Sequence, residues 1–161
     1  MIGINHGYTF SAFATKGMMK PLRAWCFELV LKDCEKYKLF LQFLNGVKIL
    51  DIDNIKKLKK QIISAKKVCI KNRKFINEKV LSQIEEEAVM NWLKKQKYDM
   101  VDFFSSVEYH NFFLDIFIDV LNEAIDEKDE VVSIGNMFVR PDHEEEYGWD
   151  YPNKIVKLPC E

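Results

Sequence analysis

The sequence predicts an α+β fold: a mostly helical body around a buried central helix at about 105–126, with short amino-terminal strands and a carboxy-terminal β-hairpin. Three observations lead there. First, Val107, His110, Leu114, Phe117, Leu121 and Ile125 step by three and four, and Phe113, Ile116, Val120 and Ala124 form a second apolar line beside them. Phe112 and Ile118 widen that band, and a helix apolar over so much of its circumference belongs in a core. Second, Ile55, Leu58, Ile62, Ala65 and Cys69, and later Val80, Leu81, Ile84, Ala88, Trp92 and Leu93, repeat with helical period on one face only. Third, Val131–Ile134 and Met137–Arg140 are short and rich in β-branched residues, and they flank Gly135-Asn136, a two-residue hairpin signal.

In chain order, Tyr8, Phe10 and Ala12 alternate with Thr9, Ser11 and Phe13, which suits a short strand. Pro21 fits the first turn of a helix, where its missing N–H costs nothing, and Leu22, Trp25 and Leu29 follow helical steps. The same residues also alternate, and a strand from Arg23 to Lys32 followed by a helix from Asp33 to Leu44 is the preferred reading. Asn45-Gly46 is a stop signal, and Val47–Ile52 reads as a short strand. Asp53 or Asn54 caps the next helix, and Asn77 caps a helix over 78–97. Lys154–Leu158 reads as an edge strand.

At 161 residues the chain has the size of one domain with room for a real core. The amino terminus lacks a basic segment ahead of a continuous apolar run, so a cytoplasmic protein is expected, and aspartates interrupt the central apolar run, which excludes a membrane span there. Cys26, Cys34, Cys69 and Cys160 form no CxxC pair, which argues against zinc and, with the cytoplasmic expectation, against a disulfide framework. Cys26, Cys34 and Cys69 have apolar residues nearby, and reduced core thiols are expected there.

The near-zero net charge hides a split. Residues 1–80 carry seventeen Lys and Arg against six Asp and Glu, whereas residues 81–161 carry seven against nineteen, so the halves are +11 and −12. Lys56, Lys60, Lys67, Lys71 and Lys74 lie opposite the apolar face of their helix, either as a solvated coat or as contacts to phosphate. Glu108, Asn111, Asp115, Asp119, Asn122 and Asp126 form one narrow polar stripe on the central helix. That stripe is either the solvated edge of a buried helix, a dock for a basic element of the same chain, or a surface for a cationic partner. Asp115 and Asp119 are poor metal ligands, since one helix face rarely supplies enough oxygens.

The stretch Asp142–Pro152 sets Glu144, Glu145, Glu146 and Asp150 among Tyr147, Trp149 and Tyr151. Aromatic rings dominate interface energetics, and carboxylates select and steer a basic partner. Catalytic signals are missing from the sequence: His143 beside Glu144 and Glu145 is not HExxH, Ser105 and Ser106 lack nucleophile-elbow glycines, and no phosphate-binding loop occurs. His6 and His110 have no local catalytic context, and His110 reads as a core histidine. No cofactor or metal is expected. The leading expectation is therefore a non-enzymatic inhibitor that masks a basic protein, as an immunity protein or antitoxin masks a nuclease-like toxin. Its contacts would be Glu144, Glu145, Glu146, Tyr147, Trp149, Asp150 and Tyr151, with Glu108, Asp115 and Asp119 as a second acidic set. Nucleic-acid or acidic-surface binding through 56–74 is the first alternative, and an enzyme with a site assembled from distant residues is the second.

Overall fold

The computed structural model describes residues 1–14, 16–71, 107–136, 151–152 and 155–161. In these, the α+β architecture holds: an antiparallel four-stranded sheet with helices packed on one face. Strands β1 (Ile2–His6) and β2 (Thr9–Ala14) form a hairpin through Gly7-Tyr8. Helix α1 (Lys16–Val30), a 3-10 turn (Leu31–Asp33) and helix α2 (Lys38–Leu44) follow, then β3 (Ile49–Leu50) and helix α3 (Ile52–Lys71). Helix α4 (Val107–Asp126) leads into β4 (Val131–Asn136). The strand order is β2-β1-β4-β3, so the two central strands come from opposite ends of the chain.

Register fixes which sheet face is covered. Ile4 pairs with Ile134 and His6 with Val132, and all four are buried, as is Ile2. Asn5 opposite Ser133 lies on the other face, and neither is fully buried. This alternation is the mark of a sheet with one face on the core. Phe117 of α4 fills the space between sheet and helices; its ring meets Phe13 edge-on at 4.8 Å and Phe43 at 6.0 Å. The expected inner face of α3 is buried throughout, at Ile55, Leu58, Ile62, Ala65 and Cys69, and α3 lies along α4.

Several local expectations change. Arg23–Lys32 is not a strand: residues 16–30 are helical, and Leu22 through Phe27 are all buried. A segment buried on every side shows no solvent period, which is why alternation and helical spacing could not be told apart. The expected helix from Asp33 shortens to Lys38–Leu44. It stops at Asn45-Gly46 as predicted: Gly46 has φ +77°, its N–H bonds the Phe43 carbonyl at 3.0 Å, and the Val47 N–H bonds the Gln42 carbonyl at 3.0 Å. This is the Schellman arrangement, in which glycine takes the left-handed position at least cost. Helix α3 starts earlier than expected, at Ile52, so neither Asp53 nor Asn54 precedes it; the Asp51 carbonyl instead accepts the Ile55 N–H.

At the other end, Gly135-Asn136 is strand rather than turn, because β1 pairs through to Gly3–Gly135 and Ile2–Asn136. The second hairpin strand expected at 137–140 and the helix expected at 78–97 lie outside the described residues. Ile155–Leu158 is not a strand either. It is held by one side chain: Asn45 Nδ2 donates to the Val156 carbonyl at 2.8 Å, and Asn45 Oδ1 accepts the Val156 N–H at 3.0 Å. A buried amide thus copies the double bond of a strand partner. The expectation of reduced core cysteines is corrected at Cys34 and holds at Cys26 and Cys69. Cys34 and Cys160 form a disulfide, with Cα atoms 5.7 Å apart, while Cys26 and Cys69 are free and buried.

Candidate functional site

Helix α4 presents the carboxylates of its polar stripe to solvent, while Asn111 and Asn122 are half-buried. Glu108, Asp115 and Asp119 are exposed. Phe112, which the spacing places within the apolar band, instead stands among them with 60% of its surface exposed. The four residues are separated by four, three and four positions, which keeps them on one helical face. Phe113, the next residue, is buried, and the two rings meet edge-on at 5.3 Å. The face therefore combines a projecting ring, braced by a core ring behind it, with three carboxylates.

One lysine of α3 reaches this stripe: Lys66 Nζ bonds Asp115 Oδ1 at 2.5 Å. Among the described residues the stripe thus docks a basic element of the same chain at that point. Lys56, Lys60 and Lys67 are exposed on α3, and Glu108 and Asp119 are exposed on α4. Two stripes of opposite sign lie on neighbouring helices. Lys71 closes α3, and Lys74 lies outside the described residues.

Of the acidic-aromatic stretch, Glu144, Glu145, Glu146, Tyr147, Trp149 and Asp150 lie outside the described residues. Tyr151 is described and half-buried, and its hydroxyl donates to the Leu44 carbonyl. That carbonyl also accepts Arg23 Nε at 3.0 Å. Arg23 is itself buried: Nη2 donates to Asn45 Oδ1 at 3.0 Å, and the guanidinium faces the rings of Phe27 at 5.4 Å and Tyr151 at 5.8 Å. Tyr151 therefore acts inward, helping to fasten the carboxy-terminal segment.

A second cluster had no local signal in the sequence. His6, at the end of β1, is fully buried. Its Nδ1 lies 2.9 Å from Asp129 Oδ2 and 3.8 Å from Glu127 Oε2, and its Nε2 lies 3.2 Å from Ser11 Oγ. Glu127 and Asp129 flank Lys128, which has φ +59°. The Asp129 N–H bonds the Ala124 carbonyl and the Lys128 N–H bonds that of Ile125, so the turn that ends α4 places both carboxylates beside β1. Gly7 abuts the cluster at φ +54°; a Cβ there would fall 2.4 Å from Asp129 Oδ1. His6 and Asp129 are 123 positions apart, so only the β1–β4 pairing could have shown them to be neighbours.

Two free thiols lie in the described interior. Burial pushes the Cys26 thiol far above the usual thiol range, reinforced by the neighbouring Cys69. Burial raises Cys69 too, against a lowering contact from the Trp25 indole. Trp25 stacks at a tilt on His110, centroids 4.8 Å apart, and His110 is fully buried as expected of a core histidine. A shallow groove of about 540 Å³ runs beside the disulfide, lined by Leu31–Lys36, Pro159 and Cys160. Among the described residues no helix is long and apolar enough to cross a membrane. Comparison with protein families, curated proteins and solved structures finds no match for this chain.

Proposed function

We propose that the protein is a non-enzymatic binding protein that masks a basic partner protein through the α4 face of Glu108, Phe112, Asp115 and Asp119, in the manner of an immunity protein or antitoxin. The observation that carries this is Phe112: a large ring left 60% exposed in the middle of a carboxylate stripe. Solvation alone is served by acids without a ring. An exposed, braced aromatic is what fills a pocket at the centre of an interface, and surrounding charges fix the register and speed the encounter. Glu144, Glu145, Glu146 and Asp150 would serve the same partner by the same sign of charge.

The test is capture from native host extract by the wild type and by a Phe112→Ala, Asp119→Lys variant, followed by titration with the purified captured protein. The expected partner is basic, and the variant loses at least tenfold in affinity, with the charge component falling as salt rises. Capture of the same partner with unchanged affinity by the variant refutes the proposal. Nucleic-acid binding through Lys56, Lys60 and Lys67 is the second reading, supported by their common exposure on α3. The adjacent carboxylates repel phosphate, and a gel-shift complex at low salt that weakens steeply with added salt would favour it over the first. The setting proposed for a masking protein of this kind is the cytoplasm, a reducing compartment in which Cys34 and Cys160 would be two thiols; an oxidising compartment would preserve the cystine.

A further inference from the structure

We propose that His6, Glu127 and Asp129 form a binding site for a borderline divalent transition cation of the zinc class. One donor atom from each residue lies within 4.8 Å of the others. Ligands sharing a zinc ion at about 2.0–2.2 Å from the metal are about 3–3.5 Å apart. His6 Nδ1 and Asp129 Oδ2, at 2.9 Å, already stand close to that spacing. Glu127 Oε2, at 3.8 Å from Nδ1 on a half-exposed side chain, needs only a small rotation.

Ring orientation supports the assignment. Both carboxylates face Nδ1, and Nε2 is engaged separately by Ser11 Oγ. A cation at the site would replace the hydrogen that Nδ1 shares with Asp129 Oδ2, while Nε2–H donates to Ser11 Oγ; a ligating imidazole is held in this way by a partner on its other nitrogen. Charge points in the same direction. Two carboxylates gathered beside one imidazole supply the anionic oxygens that a divalent cation takes. A mixed set of one imidazole and two carboxylates suits zinc or manganese better than the all-oxygen cages of calcium. Three protein ligands at the edge of the fold leave positions for water, as in open zinc sites.

The experiment is titration of the untagged, metal-stripped full chain with Co²⁺, read by its visible absorption, and displacement by Zn²⁺. One saturable site per chain is expected, and Zn²⁺ should raise the melting temperature. Glu127→Gln, at a half-exposed position that leaves the core untouched, should weaken Co²⁺ binding about tenfold or more, and Ser11→Ala about tenfold through loss of ring positioning. Asp129→Asn provides the second ligand test, with circular dichroism confirming its fold. Absence of saturable Co²⁺ binding, or binding unchanged in both Glu127→Gln and Asp129→Asn, overturns the proposal. The site is independent of the α4 face, so neither outcome depends on partner binding.

Discussion

Replacing Cys160 with serine opens the one covalent link between the helical body and the carboxy-terminal segment. The disulfide spans 126 positions. Loop-closure entropy for such a span gives about 5 kcal/mol at 25 °C, and native cystines generally contribute about 2–5 kcal/mol because denatured chains are less expanded than the ideal coil. The segment keeps its other anchors, the Asn45–Val156 pair and the buried Val156 and Leu158, so its native contacts change little and the loss is carried by the denatured state. With a urea slope of about 2 kcal/mol/M, a loss of about 4 kcal/mol moves the midpoint down by about 2 M. The assay is equilibrium urea unfolding of the oxidised wild type and Cys160→Ser, followed by far-UV circular dichroism and tryptophan fluorescence. The slope should also rise, since the open denatured chain exposes more surface. A midpoint that stays within about 0.3 M of the oxidised wild type would refute the loop-closure account.

Other outcomes follow from single side chains. Phe117→Ala should cost about 3–5 kcal/mol by cavity formation, whereas Phe112→Ala, removing an exposed ring, should change stability by no more than about 0.5 kcal/mol; thermal melts of the two distinguish core from surface. Asn45→Ala strands a buried carbonyl and N–H of Val156 and one donor of Arg23, so a loss of about 2–4 kcal/mol is expected, with earlier proteolysis after residue 150. Cys26 and Cys69 ionise at higher pH in the native protein than in the unfolded chain, whose thiols ionise near about pH 8.5. Their contribution to stability is therefore intact below about pH 8.5 and declines above it, as the unfolded state releases protons that the native state holds. Urea midpoints of wild type and a Cys26→Ala variant across pH 7–10 check this, and the wild type should show the steeper decline.

Much of the fold was legible because burial on one side leaves a period. The apolar face of α3 reads directly as Ile55, Leu58, Ile62, Ala65 and Cys69, and Asn45-Gly46 carries the chemistry of a helix stop at the place where one occurs. The period fails where there is no exposed side, as in Leu22–Phe27, and where a strand is as short as Ile2–His6 with glycine inside it. Turn chemistry at Gly135-Asn136 was outweighed by tertiary pairing, for Gly3 lies opposite Gly135 and the two backbones continue side by side. The acidic stripe of α4 was readable, but the position of Phe112 within it was not, since the adjacent Phe113 is the ring that faces the core. Nothing local marks the Cys34–Cys160 link or the meeting of His6 with Asp129; both are products of topology.

Pairing of Ile4 with Ile134 joins two strands that are made far apart in time, for residues 7–130 lie between β1 and β4. Among the described strands, β1 has only β2 to pair with until β4 emerges, and a lone hairpin is barely stable in water. Ile2 and Ile4 therefore lack their β4 partners until residues 131–136 are made, and a chain cut short before residue 131 lacks the strand that pairs with β1 on that side. Such a nascent chain is a natural client for holding chaperones, and stalled fragments of it should be prone to clump through that bare amino-terminal edge.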